Sequence, residues 1–353
     1  MSPRRFVLPV LAAIVLVVAA ILLLPSLVGG PGDPDATSTP SPRGSGAASE
    51  SPSELRPVTL LLGFQPDVQF APFYLAQQGG YFAEAGLDVT IEHSDDVIPL
   101  VADGQAEFGV ADATDVMIAR TSDIPIKYVS TLYNRFPVAL IGAPDVLPDA
   151  PADLAGLRIG TPGQFGSSWH ALLALLDAGG LTADDVTIRS YPQFNQVEGM
   201  LNGDVDLITG FRTNEPLRLQ AQGFEVELMT VDDFAPLPGP GIVVGDELLA
   251  GDLEMVHAFA SAIAQAQTAI AGDLQRGLDA AIAEVPAIAE DRGTAEAVLA
   301  ATVEAWGPSI TGAVVRDVWS SGYETMRRLG FIDGSVPVEE MYDLRVMGVT
   351  APL

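Results

Sequence analysis

Residues 100–120 (LVADGQAEFGVADATDVMIAR) and 200–220 (MLNGDVDLITGFRTNEPLRLQ) can be laid over one another. Each stretch reads as a helix end, a glycine turn, an acidic residue, a buried strand, a polar loop and a second helix. The offset of about 100 residues is too long for a solenoid unit, which repeats every 20–50. Two similar α/β lobes are the simpler solution, and this restricts the fold more than any other feature.

The segments around the repeat agree. Short apolar runs alternate with amphipathic stretches, the pattern of βαβ units. Strands are expected at 59–64, 88–93, 107–111, 127–133 and 138–142, with helices at 70–80, 98–103 and 116–122 between them. The second half starts over with strands at 157–161, 186–191, 205–210 and 225–230 and helices at 167–178, 196–202 and 214–222. Residues 252–330 are alanine-rich with helical apolar spacing, which predicts a helical appendage packed on the first lobe. Trp306, Trp319 and Tyr323 within it read as core packing. The expected division is lobe 1 over 57–143, lobe 2 over 144–240 and a return to lobe 1 over 241–353.

Upstream, Arg4 and Arg5 precede 23 charge-free residues, 6–28. That is long enough to span a bilayer, for which about 20 suffice. Residues 1–28 therefore read as a single-pass signal anchor with its positive end inside, holding the folded part at the cell membrane on the extracytoplasmic side. A cleaved signal peptide is the alternative, and it exports the chain too. Residues 29–56 are rich in Pro, Gly, Ser and Thr and read as a flexible tether with a reach of about 30 Å.

Composition excludes several functions. The formal charge is −29, so the surface repels phosphate backbones and nucleic-acid binding is not expected. The absence of cysteine removes disulfides, thiolate metal sites, cysteine nucleophiles and lipid attachment through cysteine. His93, His170 and His257 share no ligand spacing, and each reads as structural, so no metal, cofactor or catalytic group is expected.

In open α/β sheets ligands sit beyond the carboxyl ends of the strands, so the candidates lie in those loops. Gln65, Asp67 and Phe70 follow the first strand, with Phe73 and Tyr74 read as packing. Asp112, Thr114 and Asp115 follow the third, and Asn134 lies between Tyr133 and Arg135 at the expected crossing between lobes. In the second lobe the turn 161–169 carries Gln164, Phe165, Ser167 and Trp169, and its free N–H groups attract anions or polar ligand edges. It lacks the lysine of a phosphate-binding P-loop. Phe194 and Asn195 follow Tyr191, and Phe211, Asn214 and Glu215 sit in the loop equivalent to Asp112–Asp115. Aromatic faces stack on planar rings while amides and acids read a ring's edge. The competing reading is that the polar ones are helix caps.

The stretch QFAPFYLAQQGGYFAEAGLDV (69–89) resembles the opening motif of the thiamine-precursor and alkanesulfonate group of periplasmic binding proteins. GQAEFGVAD and NGDVDLITGFRTNEP resemble the group's later motifs, so the likeness spans about 58–329. It implies a two-lobed, type II-like periplasmic-binding fold, a substrate-binding component of an ABC importer, and a permease partner in the same membrane. Asn214-Glu215-Pro216 points to the group's pyrimidine-binding branch; the polar residues surplus to a small pyrimidine would suit a ribityl chain, so within that branch the resemblance implies riboflavin as the ligand, with formylaminopyrimidine or hydroxymethylpyrimidine as the alternative. Members commonly carry a lipid-attachment cysteine; none is present here, and 6–28 would substitute for it. A relative of the same fold is a pyrimidine synthase with a cysteine-rich motif and a lysine-bound pyridoxal phosphate. This chain has no cysteine, and its single lysine, Lys127, falls in an expected strand, so an enzyme is not expected. A membrane-coupled sensor and a simple sulfonate binder are the other rivals. The latter would need a basic pocket, whereas Arg135 and Arg212 are the only cations in the cleft loops.

Overall fold

The computed structural model describes residues 54–63, 65–307 and 310–350. The expected anchor (1–28) and all but the last three residues of the expected linker (29–56) lie outside the described residues. Among the described residues no helix is long and apolar enough to cross a membrane. Arg56, expected to close the linker, already belongs to the first strand and pairs with Leu87.

The chain runs β1 (Arg56–Leu62), α1 (Ala71–Gln78), α2 (Tyr81–Glu84), β2 (Leu87–His93), α3 (Val97–Ala102), β3 (Phe108–Ala111), α4 (Ala113–Thr121) and β4 (Ile126–Thr131). It then forms β5 (Val138–Gly142), β6 (Arg158–Thr161), α5 (Gly166–Ala178), β7 (Thr187–Ser190), α6 (Gln196–Leu201), β8 (Leu207–Phe211), α7 (Glu215–Ala221) and β9 (Glu227–Thr230). After β10 (Gly241–Gly245) come α8 (Asp246–Gly251), α9 (Leu253–Gly272), α10 (Leu274–Glu284), α11 (Arg292–Trp306) and α12 (Arg316–Arg328).

Two five-stranded sheets share one plan, β2-β1-β3-β10-β4 and β7-β6-β8-β5-β9. In each, four strands run in one direction, and an antiparallel strand is inserted before the last. The inserted strand is delivered from the other half of the chain: β5 arrives from lobe 1 and β10 from lobe 2. This corrects the expected boundary at 143, because Val138–Gly142 pairs with β8 and β9 and not with lobe 1. Both inserted strands, VALIG and GIVVG, are buried at every position. A strand covered on both faces has no polar side, so its continuous apolar run identifies a central strand but not the sheet it joins.

The two crossings, 132–137 and 231–240, run side by side. Leu132 N donates to Pro240 O at 3.1 Å, and Phe136 N donates to Asp232 Oδ1 at 3.2 Å. Among the described residues they are the only covalent links between the lobes, and so form a double hinge.

The C-terminal helices pack on the first sheet. Phe259 of α9 stacks between Phe82 and Phe108, at ring separations of 5.2 and 3.6 Å, which nails α9 to the first sheet. Trp319 of α12 packs edge-on to Tyr128 at 4.9 Å, and Trp306 and Trp319 are both fully buried. Each sheet thus carries apolar cores on both faces, leaving the strand ends for ligands.

Candidate functional site

The loops after the strands of the two lobes meet. Asp67, after β1, caps Val68 N at 2.5 Å and reaches across to Arg218 Nη2 of α7 at 3.2 Å. Asn214 holds the same guanidinium, accepting from Arg218 Nε at 2.5 Å, and also hydrogen-bonds Asp67. Burial raises the Asp67 carboxyl while Arg218 opposes the shift. Arg218 escapes a sequence reading of the loops because it lies one helical turn beyond Asn214; that i,i+4 spacing was the available signal.

A second seam joins α4 to α5. Asp112 Oδ2 accepts from Ser167 N at 3.2 Å, and Thr114 Oγ1 meets His170 Nδ1 at 2.9 Å. Thr114 and His170 are buried from solvent. Asp115 also approaches His170 Nδ1, at 3.7 Å. Threonine and aspartate therefore face the same ring nitrogen, whereas a proton relay needs them on opposite ones. His170 is pulled down to about 4 by burial, so it is neutral at pH 7. Asp115 is pushed up to about 8 by burial and then by the charge of Asp112. This is a structural seam and not a catalytic group.

In the second lobe Glu215, the first residue of α7, folds back over Gly210, accepts from Phe211 N at 2.7 Å and meets Gln196 Nε2 at 3.5 Å. Any Cβ at Gly210 would lie 2.8–3.0 Å from the Glu215 side chain, so this approach requires glycine. Burial pushes Glu215 up to about 7. Five buried side-chain atoms in the cleft loops lack a partner: Gln69 Oε1, Tyr191 OH, Asn195 Oδ1, Gln196 Oε1 and Thr213 Oγ1. A buried polar group left unpaired costs about 1–3 kcal/mol, so a hydrogen-bonding partner at any of these atoms would be favourable. Gln69, Gln196 and Thr213 were not among the expected residues, since a polar residue near a helix start looks like a cap.

The aromatic candidates divide. Phe165 and Phe194 are among the most exposed large apolar side chains, at 58% and 41%. They stand on the loops that follow the neighbouring strands β6 and β7, and Phe194 holds a left-handed backbone, φ 56°. A non-glycine residue there stores strain of the kind found at binding sites. Phe70, by contrast, is buried against His93 and Phe73 in the lobe 1 core, and Trp169 lies in the lobe 2 core. Both point into cores because aromatic identity alone does not say which side of a loop faces the cleft. Asn134 is pinned in the first crossing, donating to Trp306 O at 2.6 Å. Gln65 and Gln164 are exposed on their loops, and Phe211 ends β8 half-buried.

Among the described residues no cluster could hold a metal ion. Lys127 sits at the amino end of β4, away from the cleft, and its Nζ donates to Glu340 O at 2.7 Å. Arg212 pairs with Asp232 at 3.6 Å. The loops that follow the strands thus carry buried amide oxygens and two exposed phenyl side chains.

The duplicated sheet plan, with strands exchanged through a double hinge, defines a two-lobed periplasmic-binding-protein fold. The aliphatic sulphonate binding protein SsuA of Escherichia coli has the same fold, with a TM-score of 0.66 at 13% identity over 85% of this chain and 94% of that one. Residues 67–273 match the NMT1/THI5 like family, and the chain belongs to it. It is 32% identical over 299 residues to the riboflavin-binding protein RibY of Chloroflexus aurantiacus, covering 82% of this chain and 85% of that protein. It is 29% identical to the formylaminopyrimidine-binding protein of Halalkalibacterium halodurans, over 55% of this chain and 58% of that one. A 4-amino-5-hydroxymethyl-2-methylpyrimidine phosphate synthase of Aspergillus parasiticus is 26% identical over 59% of this chain and 65% of that enzyme. The relative with the widest coverage among these is a binding protein, although the family also includes proteins named as synthases.

Proposed function

We propose that this chain is the extracytoplasmic substrate-binding component of an ABC importer, that it captures riboflavin between its lobes, and that it delivers the vitamin to a permease in the same membrane. The observation that carries the reading is the 32% identity with a riboflavin-binding protein over 82% of the chain, which spans both lobes and both hinges. The site supports it: Phe165 and Phe194 offer faces to a flat ring, and unpaired amide oxygens await the ring edge or the ribityl hydroxyls. Riboflavin has about 27 non-hydrogen atoms, and roughly 0.3 kcal/mol for each allows about 8 kcal/mol, a micromolar Kd. Residues 6–28 would tether the domain to the membrane, and 29–53 would let it visit the permease.

A thiamine pyrimidine precursor is the second reading, favoured by Asn214-Glu215-Pro216 and by the formylaminopyrimidine-binding relative. Catalysis is not proposed, because the single lysine is spent on a backbone carbonyl remote from the cleft. The test is a thermal-shift panel on the purified full chain with riboflavin, formylaminopyrimidine, hydroxymethylpyrimidine and ethanesulfonate. A rise in melting temperature with riboflavin alone supports the reading. A rise with a pyrimidine and none with riboflavin replaces it with the second.

A further inference from the structure

Helix α12 carries Trp319, Gly322 and Met326 buried at i, i+3 and i+7, a single stripe along one face. That stripe lies on lobe 1: Trp319 meets Tyr128 and Tyr342 edge-on at 4.9 and 5.1 Å, and Met326 joins the same core. Midway, the helix passes over the hinge. A Cβ at Gly322 would lie 2.5 Å from Pro238 Cδ in the second crossing, so glycine is what lets the helix come this close. Beyond α12 the chain turns at Gly330, φ 79°, and comes back. Ile332 and Met341 are buried in the lobe 1 core, and Asp343 N donates to Tyr128 O at 2.9 Å. Residues 316–343 thus form an arm rooted in lobe 1 at both ends.

The tip of the arm rests on lobe 2. Leu329 and Phe331 pack against that lobe's core, and Phe331 also contacts the core of lobe 1. The Phe331 ring meets His170 edge-on at 4.6 Å, and Arg328 Nε donates to Asp177 Oδ2 at 2.8 Å. Ser167, His170 and Asp177 stand at i, i+3 and i+10 of α5, on one face of that helix. The seam that begins with Asp112 and Thr114 at the cleft therefore continues along α5, and the arm holds its other end. At a rise of 1.5 Å per residue, Asp177 lies about 15 Å along the helix from Ser167.

This contact serves motion more than folding. The Arg328 side chain is half exposed, and Leu329 and Phe331 are only partly buried, so neither lobe depends on them for its core. Arm and α5 belong to different lobes, and among the described residues the two crossings alone join those lobes. Gly322 sits against a crossing, but Arg328 lies six residues further, about 9 Å along the helix. Rotation about the crossings therefore leaves the Gly322 contact in place and moves α5 away from the tip. A contact made in only one of two states shifts the equilibrium toward that state, with or without ligand.

We infer that the arm is a latch: its tip, Arg328, Leu329 and Phe331, grips α5 and holds the two lobes closed before any ligand arrives. The latch favours closure for every ligand alike, because its tip stands on the flank of α5 and not in the strand-end loops. It is therefore independent of the choice between riboflavin and a pyrimidine precursor. An aromatic edge contact alone changes the closing ratio about two- to tenfold. An ion pair as exposed as Arg328–Asp177 adds less.

The chain contains no cysteine, so Gln105→Cys with Asn202→Cys places two spin labels on the full chain, on the exposed turns before β3 and β8. Pulsed electron paramagnetic resonance then reads the distance between the lobes in the free protein, with thermal melting beside it. The protein with its arm intact is expected to show a short-distance population. Phe331→Ala should lower the ratio of short to long distances about two- to tenfold. Asp177→Arg and Arg328→Glu should each lower it as well, and the two together should restore it, while melting hardly moves. This charge exchange keeps the test decisive if Phe331→Ala fails to fold. Long distances alone with the arm intact would overturn the inference. So would variants that melt earlier with their distances unchanged, the result that a purely structural tip gives. No ligand enters the measurement, so a failed riboflavin titration leaves the latch standing, and unchanged distances leave the riboflavin reading standing.

Discussion

Thr114→Val isolates the seam between the lobes. The hydroxyl of Thr114 and Nδ1 of His170 meet at 2.9 Å, and both residues are buried. Valine keeps the volume and removes only the hydroxyl, so the closed form would retain a buried imidazole nitrogen without its partner. In the open form, with the lobes parted about the two crossings, water satisfies both groups. The substitution therefore costs the closed form alone about 1–3 kcal/mol, a factor of roughly 5–150 in the closing equilibrium. A ligand that binds the closed form loses apparent affinity by up to that factor. Because Asp115 stands 3.7 Å from the same nitrogen and can partly replace the hydroxyl, about tenfold is expected. The assay is a riboflavin titration at pH 7 beside thermal melting of the free protein. The Kd should rise while the melting temperature hardly moves, because the bond lies outside the cores of the two sheets. An unchanged Kd would mean that the contact does not report closure. A melting temperature that falls in proportion would mean that α4 and α5 belong to one fixed body.

Other expectations follow from the same geometry. Phe165→Ala and Phe194→Ala should each weaken riboflavin binding by about 1 kcal/mol or more and reduce flavin quenching, with melting unchanged because both rings are exposed; equal affinity in both variants would remove the aromatic platform. Phe259→Ala should cost about 3–5 kcal/mol of stability, since the ring is fully buried between Phe82 and Phe108, and denaturant unfolding reads this directly. Glu215 is raised from 4.5 to about 7 by burial, so between those values the folded chain keeps a proton that the unfolded chain has lost. Its contribution is intact below about pH 4.5 and is lost as pH rises to about 7, and Glu215→Gln should flatten that part of the stability profile; a slope unaltered by the substitution would place the titration elsewhere.

Much of the architecture is legible in one dimension because it follows from periodicity. The expected strand at 88–93 matches Leu87–His93, and the helix expected at 167–178 matches Gly166–Ala178 to within one residue. What periodicity does not carry is partnership in space. VALIG is visible as a buried strand, yet nothing in those five residues says that it pairs with β8 and not with its sequence neighbour β4. The same limit governs the site. Asp112 and Ser167 are each recognisable as residues that cap helices, but that one caps the other's helix requires the fold. His170 looks structural, and it is, though the structure it serves is the seam between lobes. Gln196 and Thr213 advertise nothing, because a buried unpaired oxygen becomes notable only once its surroundings are known. Phe70 and Phe165 are the same residue type in equivalent loops, and only packing sends one into a core and leaves the other in solvent.

The most direct measurement is a fluorescence titration of riboflavin with the purified full chain in mild detergent. Binding between Phe165 and Phe194 predicts saturable quenching with one flavin per chain and a Kd in the micromolar range or below. Quenching that is absent, or that rises linearly without saturation while a pyrimidine precursor stabilises the protein, would contradict the assignment of riboflavin as the captured ligand.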